Sequence, residues 1–207
     1  MTLAAVIAAL AVLLGCAELL KRLGLVRDEA ARKLVHVGSA LAVAPLPLVI
    51  SFHEIVALGL LFAAALAVSR RHGIVSAVHD VDRRTIGEIL FPLGIGLLAL
   101  LVPSPLPFVY GVLVLGLADG LAASIGLRYG RTRIPGGKSL CGSVTFFAVA
   151  LTAGVAVLLA AGAPLTTVVA VAVGAAFVCT LAEAVLSAGF DNLVLPFAAG
   201  LLMAVLA

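Results

Sequence analysis

The chain has 207 residues, of which 64% are hydrophobic and 11% charged, with a formal net charge of +3. A soluble globular domain carries roughly one-quarter charged residues, so this composition excludes a soluble enzyme and points to an integral membrane protein. Cys16, Cys141 and Cys179 are odd in number and lack CxxC spacing, which argues against a disulfide or zinc framework and leaves them as idle thiols.

A hydrocarbon core about 30 Å thick needs roughly 20 apolar residues in helical form, and lipid forces the backbone to satisfy its own hydrogen bonds. Continuous apolar runs replace the alternation a barrel would need. The chain therefore reads as one all-α transmembrane domain over 1–207, a polytopic helix bundle of about eight spans, with seven as the alternative. The first span, 3–20, contains "LLGC" at 13–16, which resembles a lipoprotein cleavage box. No Lys or Arg precedes that apolar run, so a transmembrane helix is expected rather than a signal. Further spans are expected at 30–50, 55–68, 86–102, 108–127, 140–160, 165–186 and 193–206, the one at 55–68 being short.

With no Trp and two Tyr, the aromatic belts are thin and the basic residues carry the topology. All thirteen fall within 21–33, 70–84 and 128–138, each segment separated from the next by a two-helix hairpin. The positive-inside rule places all three segments in the cytosol and both termini outside. Attraction to anionic lipid accounts for Arg70, Arg71, Arg83 and Arg84. His53, His72, His79, Asp80 and Asp82 are expected to be solvated in loops.

An ionisable group at the centre of a span costs about 2.5–3.5 kcal/mol on insertion scales and usually faces a bundle interior or a wet cavity. His36 falls within the second span, on one helical face with Arg32 and Ser39. Glu88 begins the fourth span beside Gly87. Asp119 lies in the fifth among Gly116, Gly120, Ala122, Ala123 and Gly126. Glu183 closes the seventh, with Asp191 and Asn192 in the following loop. On the expected topology these groups gather at the cytosolic face, an arrangement suited to metal and phosphate. Other roles are open for each. Gly116 and Gly120 form a GxxxG packing seam, His36 can bond a backbone carbonyl, and Glu88 and Glu183 can cap helices or pair with loop arginines.

"IPGGKSLCGS", 134–143, has the ending of a Walker A loop, but the first glycine of GxxxxGK[ST] is replaced by Thr132 and no strand precedes it. The same physics can be assembled differently. Gly136 and Gly137 permit a sharp turn, Lys138 supplies a cation, and Ser139 and Ser143 offer hydroxyls at a helix N-terminus, where amides and the dipole favour anions.

The order "ARKLVHVGSA", "GEILFPLGI", "LADGLAASIGLRYGRTRIPGGKSLCGS" and "LAEAVLSAGFDNLVLPFAAG" resembles the polytopic membrane kinases that include dolichol kinase, phytol kinase and CTP-dependent diacylglycerol kinase. The resemblance covers 31–207 and is strongest from Asp119 and Gly120 to Lys138, Ser139, Gly142 and Ser143. It implies transfer of the γ-phosphoryl group of CTP, or another nucleoside triphosphate, to the hydroxyl of an isoprenoid alcohol or diacylglycerol at the cytosolic face of the cell membrane. In that scheme Asp119 holds Mg²⁺, Lys138 touches phosphate, and Ser139, Ser143 and the backbone at Gly136 and Gly137 add hydrogen bonds. Arg128, Arg131 and Arg133 are further phosphate contacts. Glu183 or Asp191 holds a second metal or accepts the alcohol's proton, with His36 a rival base, and Asn192 fixes the loop or touches a ligand. The expected partners are the nucleotide, the lipid alcohol and membrane lipid, with no nucleic acid. A phosphatidate cytidylyltransferase shares a loosely similar block but has a different C-terminal signature. A transporter or scaffold is a third class, although transporter sites tend to lie at the midplane.

Overall fold

Long runs of Leu, Ala and Val, interrupted chiefly by Gly and Pro, favour helix. The computed structural model describes residues 3–79, 86–134, 137–186 and 189–207. In chain order they form α1 (Leu3–Arg22), α2 (Asp28–Val43), a 3-10 turn (Leu46–Leu48), α3 (Phe52–His72), α4 (Ser76–His79), α5 (Gly87–Leu101) and α6 (Pro105–Leu113). A π-helical segment (Val114–Asp119), α7 (Gly120–Tyr129), α8 (Leu140–Ala160), α9 (Leu165–Val185) and α10 (Asp191–Leu206) complete it. Among the described residues, β pairing is confined to one isolated bridge between Arg133 and Ser139.

The all-helical expectation holds. Five helical stretches are long and apolar enough to cross a membrane by length and composition: α1, α3, the continuous Pro105–Tyr129 unit, α8 and α9. The shorter α5 and α10 are also apolar. Exposed Leu60, Leu61, Val169, Val173 and Phe177 face outward from α3 and α9, which suits lipid and marks an integral membrane protein.

Two helix boundaries differ from expectation. The third span is a full Phe52–His72 rather than 55–68. Ser51 and Glu54 form a reciprocal capping box at its start, and Gly73 at φ 63° ends it in the left-handed region. Its polar last turn, Ser69 to His72, interrupts the apolar pattern but not the helix, because cations are favourable at a helix C-terminus. The second span stops at Val43 instead of reaching 50. Ala44 still bonds back to Ala40, but Pro45 and Pro47 each remove a backbone donor, leaving a short 3-10 turn.

The Pro105–Tyr129 unit separates two cores. Tyr110, Val114 and Ala118 pack toward α8, α9 and α10 with Phe146, Ala175 and Met203. Phe108, Val112 and Leu115 pack toward α1, α2, α3 and α5 with Leu10, Val43, Ile55 and Leu98. Helices in lipid associate through close packing of small residues, and Gly116 does this for the central unit. A Cβ on Gly116 would fall 1.9 Å from the Cβ of Ala40. Gly116→Ala is therefore expected to push α2 off the central helix and destabilise the fold by about 1–3 kcal/mol, read as a lowered melting temperature in detergent. An unchanged melting temperature would rule the contact out as a determinant. The packing role of the GxxxG pair thus stands beside Asp119, not in place of it: Gly120 fits against Val37 and the His36 ring.

Candidate functional site

The site grows from the π-helical segment. A π turn releases backbone groups from the regular ladder and often occurs at functional sites. Here His36 of α2 reaches the Leu115 carbonyl within the segment, its Nε2 at 2.9 Å. A carbonyl only accepts, so Nε2 carries the hydrogen and the neutral ring keeps its lone pair at Nδ1. Asp119 ends the segment, buried, with one carboxylate oxygen 3.6 Å from His36 Nε2 and 3.7 Å from Lys33 Nζ. Lys33 is itself buried. It is the residue that reading the sequence missed, because it was counted among the topogenic basic residues. The structure begins α2 at Asp28, which places Lys33 inside the helix, three residues before His36 and on a neighbouring face. That i, i+3 spacing was the available signal.

The second half comes from the loop into α8. Ile134 N donates to Lys138 O at 2.9 Å and Leu140 N to Thr132 O at 3.0 Å. With Gly137 at φ 83°, these bonds fold a tight hairpin. Lys138 then meets Glu183, near the end of α9, at 2.7 Å and Asp191, at the start of α10, at 3.6 Å. Ser143 Oγ donates to the same Glu183 carboxylate at 3.4 Å. The Lys138–Glu183 approach is an ion pair without hydrogen-bond alignment: Nζ is buried, yet none of its donors is aimed at an acceptor among the described residues. Asp119 lies within the electrostatic field of Lys33, His36 and Lys138, and Asp191 within that of Asp119. One group thus joins Lys33, His36 and Asp119, a second joins Lys138, Glu183, Ser143 and Asp191, and the two together make up the candidate polar site.

Other expected contributors are placed differently. Ser139 is the N-cap of α8, its Oγ accepting from Gly142 N at 3.1 Å. Leu140 N and Ser143 N also have backbone partners, so the start of α8 has few amides to offer an anion. Gly137 is exposed, Gly136 lies outside the described residues, and Arg131 and Arg128 are exposed. Arg133 donates to Gly137 O at 3.2 Å, which serves the hairpin. Asn192 Nδ2 donates to Gly87 O at 2.8 Å and ties α10 to α5.

Glu88 has its own group. Arg70 approaches its carboxylate at 2.7 Å and His79 Nδ1 at 3.4 Å, while His79 Nε2 lies 3.0 Å from Ser69 Oγ. This corrects the expectation that His79 is solvated and that Arg70 serves topology and lipid alone. α4 packs its Ala77 and Val78 against Ala17, Ala31 and Val35 of α1 and α2, which brings His79 to Ser69 and Glu88, and a buried carboxylate in an apolar setting draws in the nearest cations. Asp80, Asp82, Arg83 and Arg84 lie outside the described residues, while His53 and His72 are exposed but belong to the first and last turns of α3 rather than to loops.

Among the described residues, no three His, Cys, Asp or Glu side chains converge as a cation cage. Magnesium in phosphoryl transfer is usually held by one or two carboxylates together with substrate phosphates. Buried Asp119, held by Lys33 at no closer than 3.7 Å, fits that donor set. Glu183 fits it less well, since Lys138 and Ser143 already engage it.

Next to the polar site a cavity opens among α1, α2, α3 and α5, about 820 Å³ of empty space with its mouth included. Its walls include Leu10, Leu58, Phe62 and Phe91; Arg32, His36, Glu88 and Asn192 mark its polar part. The His36 ring packs on Phe91 at 4.5 Å between centroids, so one side chain borders both the cavity and Asp119.

Over 121 residues the chain is 37% identical to a phytol kinase of Synechocystis sp., a match that covers 56% of this chain and 52% of that protein. The chain thus spans about half the length of the curated relative it matches. No family model matches the chain, and no solved structure does. The similarity supports a relationship to the phytol and polyprenol kinases.

Proposed function

Taking that relationship as premise, we propose that the protein is a membrane lipid kinase that moves the γ-phosphoryl group of a nucleoside triphosphate, CTP first among them, to the hydroxyl of a lipid alcohol at the cytosolic face. The observation that carries this reading is Lys138: a buried ammonium 2.7 Å from Glu183 and 3.6 Å from Asp191, in a protein where a second buried lysine, Lys33, lies 3.7 Å from buried Asp119. Such a group is poised for phosphate oxygens.

Phosphoryl transfer needs alignment and charge neutralisation more than covalent chemistry. Lys138 and Lys33 bind the triphosphate, and Glu183 with Ser143 orients Lys138. Asp119 would hold Mg²⁺, which when bound spreads positive charge over the phosphates. The alcohol oxygen forms its bond to the γ-phosphorus as the bond to the β-phosphate oxygen breaks, and the nucleoside diphosphate leaves. The hydroxyl proton passes to Asp191, the acid held more loosely by Lys138 at 3.6 Å. His36 Nε2 is already committed to the Leu115 carbonyl, so His36 positions Asp119 and the central helix.

The test is transfer of label from γ-labelled CTP into lipid by the purified protein, with other triphosphates and a panel of alcohols alongside. Label entering lipid supports the kinase. Label entering only from the α position, with release of pyrophosphate, would instead identify a cytidylyltransferase, and no label from either position with any alcohol overturns both.

A further inference from the structure

The cavity beside the polar site has apolar walls, a direction and a polar end, and together these specify an occupant. One face of α2, carrying Arg32, His36, Ser39 and Val43, lines it from the polar end outward. Seven residues of helix from His36 to Val43 advance about 10 Å. Leu46 and Ile55, both essentially fully buried, lie beyond Val43 at the far end.

We infer that this cavity holds the apolar tail of the lipid alcohol, with the hydroxyl at His36 and Asn192 and with Val43, Leu46 and Ile55 setting how long a tail is enclosed. The inference rests on the kinase reading and deepens it by naming where the acceptor lies. Continuity is its physical basis: His36 borders both the cavity and Asp119, and Asn192 lines the cavity next in sequence to Asp191, which faces Lys138. A tail in this cavity therefore delivers its hydroxyl beside the phosphate-binding lysines.

Val43→Phe tests the inference by filling the cavity about 10 Å from the hydroxyl end. With geranylgeraniol as acceptor, kcat/KM is expected to fall at least tenfold, while geraniol, half as long, stays within about twofold of the unsubstituted protein. Equal efficiency on both alcohols overturns the tail site. A second measurement does not depend on how well the variant folds. A geranylgeraniol analogue with a photoreactive diazirine near its tail end is cross-linked to the unsubstituted protein and mapped by mass spectrometry. Adducts on α2, α3 and α5 are expected, and adducts confined to α8 and α9 overturn the inference. If the unsubstituted protein phosphorylates no alcohol, the kinase reading fails, and the cross-link map still decides the cavity.

Discussion

Asp119→Asn is expected to lower kcat for phosphoryl transfer by about 10³-fold or more, a size typical of losing a principal transition-state charge contact. The change keeps the shape and removes one negative charge. Lys33 and His36 sit 3.7 Å and 3.6 Å from that carboxylate, so the variant also leaves Lys33 buried without its counter-charge. Such orphaned charges cost about 3–5 kcal/mol. Activity and stability must therefore be read separately. Adding Lys33→Met to Asp119→Asn removes both charges and should return the melting temperature toward that of the parent, while transfer stays lost. If purified Asp119→Asn turns over at near-normal rate, Asp119 has no part in the chemistry.

Lys138→Met is the second large effect. The substitution preserves side-chain length and deletes the ammonium, so Glu183, with 6% of its side chain exposed, loses its 2.7 Å partner. A destabilisation of about 3–5 kcal/mol is expected, read as a melting temperature lower by ~10 °C. Glu183→Gln in the same chain removes the stranded carboxylate and should recover most of that loss. Activity follows a different course. If Lys138 binds phosphate, the double variant keeps a raised KM for the nucleotide and a kcat lower by roughly 10²-fold. Recovery of transfer along with stability would make Lys138 a structural partner of Glu183 and nothing more.

The helical architecture was legible because lipid leaves few alternatives to helix, and most spans matched their apolar runs. Asp119 and Glu183 were legible for a related reason, since acids in apolar helices are costly enough to need a purpose, whereas Asp191 and Asn192, expected in a loop, open α10. Lys33 was not legible, because a lysine a short way inside a helix resembles the flanking charges that orient a span. What separates the two cases is the burial of Lys33 and its place 3.7 Å from Asp119. The Glu88 group was hidden too. Arg70 and His79 lie 18 and 9 residues from Glu88, and no periodic rule links a helix end, a short α4 and the next span. The capping role of Ser139 was not legible, because a capping serine and a ligand-binding serine have the same sequence signature, a hydroxyl just before a helix.

The π-helical segment also constrains how this chain can change over generations. A π turn is equivalent to one residue inserted into an α-helix, and each residue of an α-helix turns the chain by about 100°. Deleting a single residue between Val114 and Asp119 would restore a regular ladder, and it would swing everything after it, Asp119 included, away from α2. The residue count of this helix is fixed there by the acid it aims, and Gly116 is fixed by its contact with Ala40. Relatives that share the chemistry should therefore keep Gly116 and Asp119, exchange the apolar residues around them, and reject gaps.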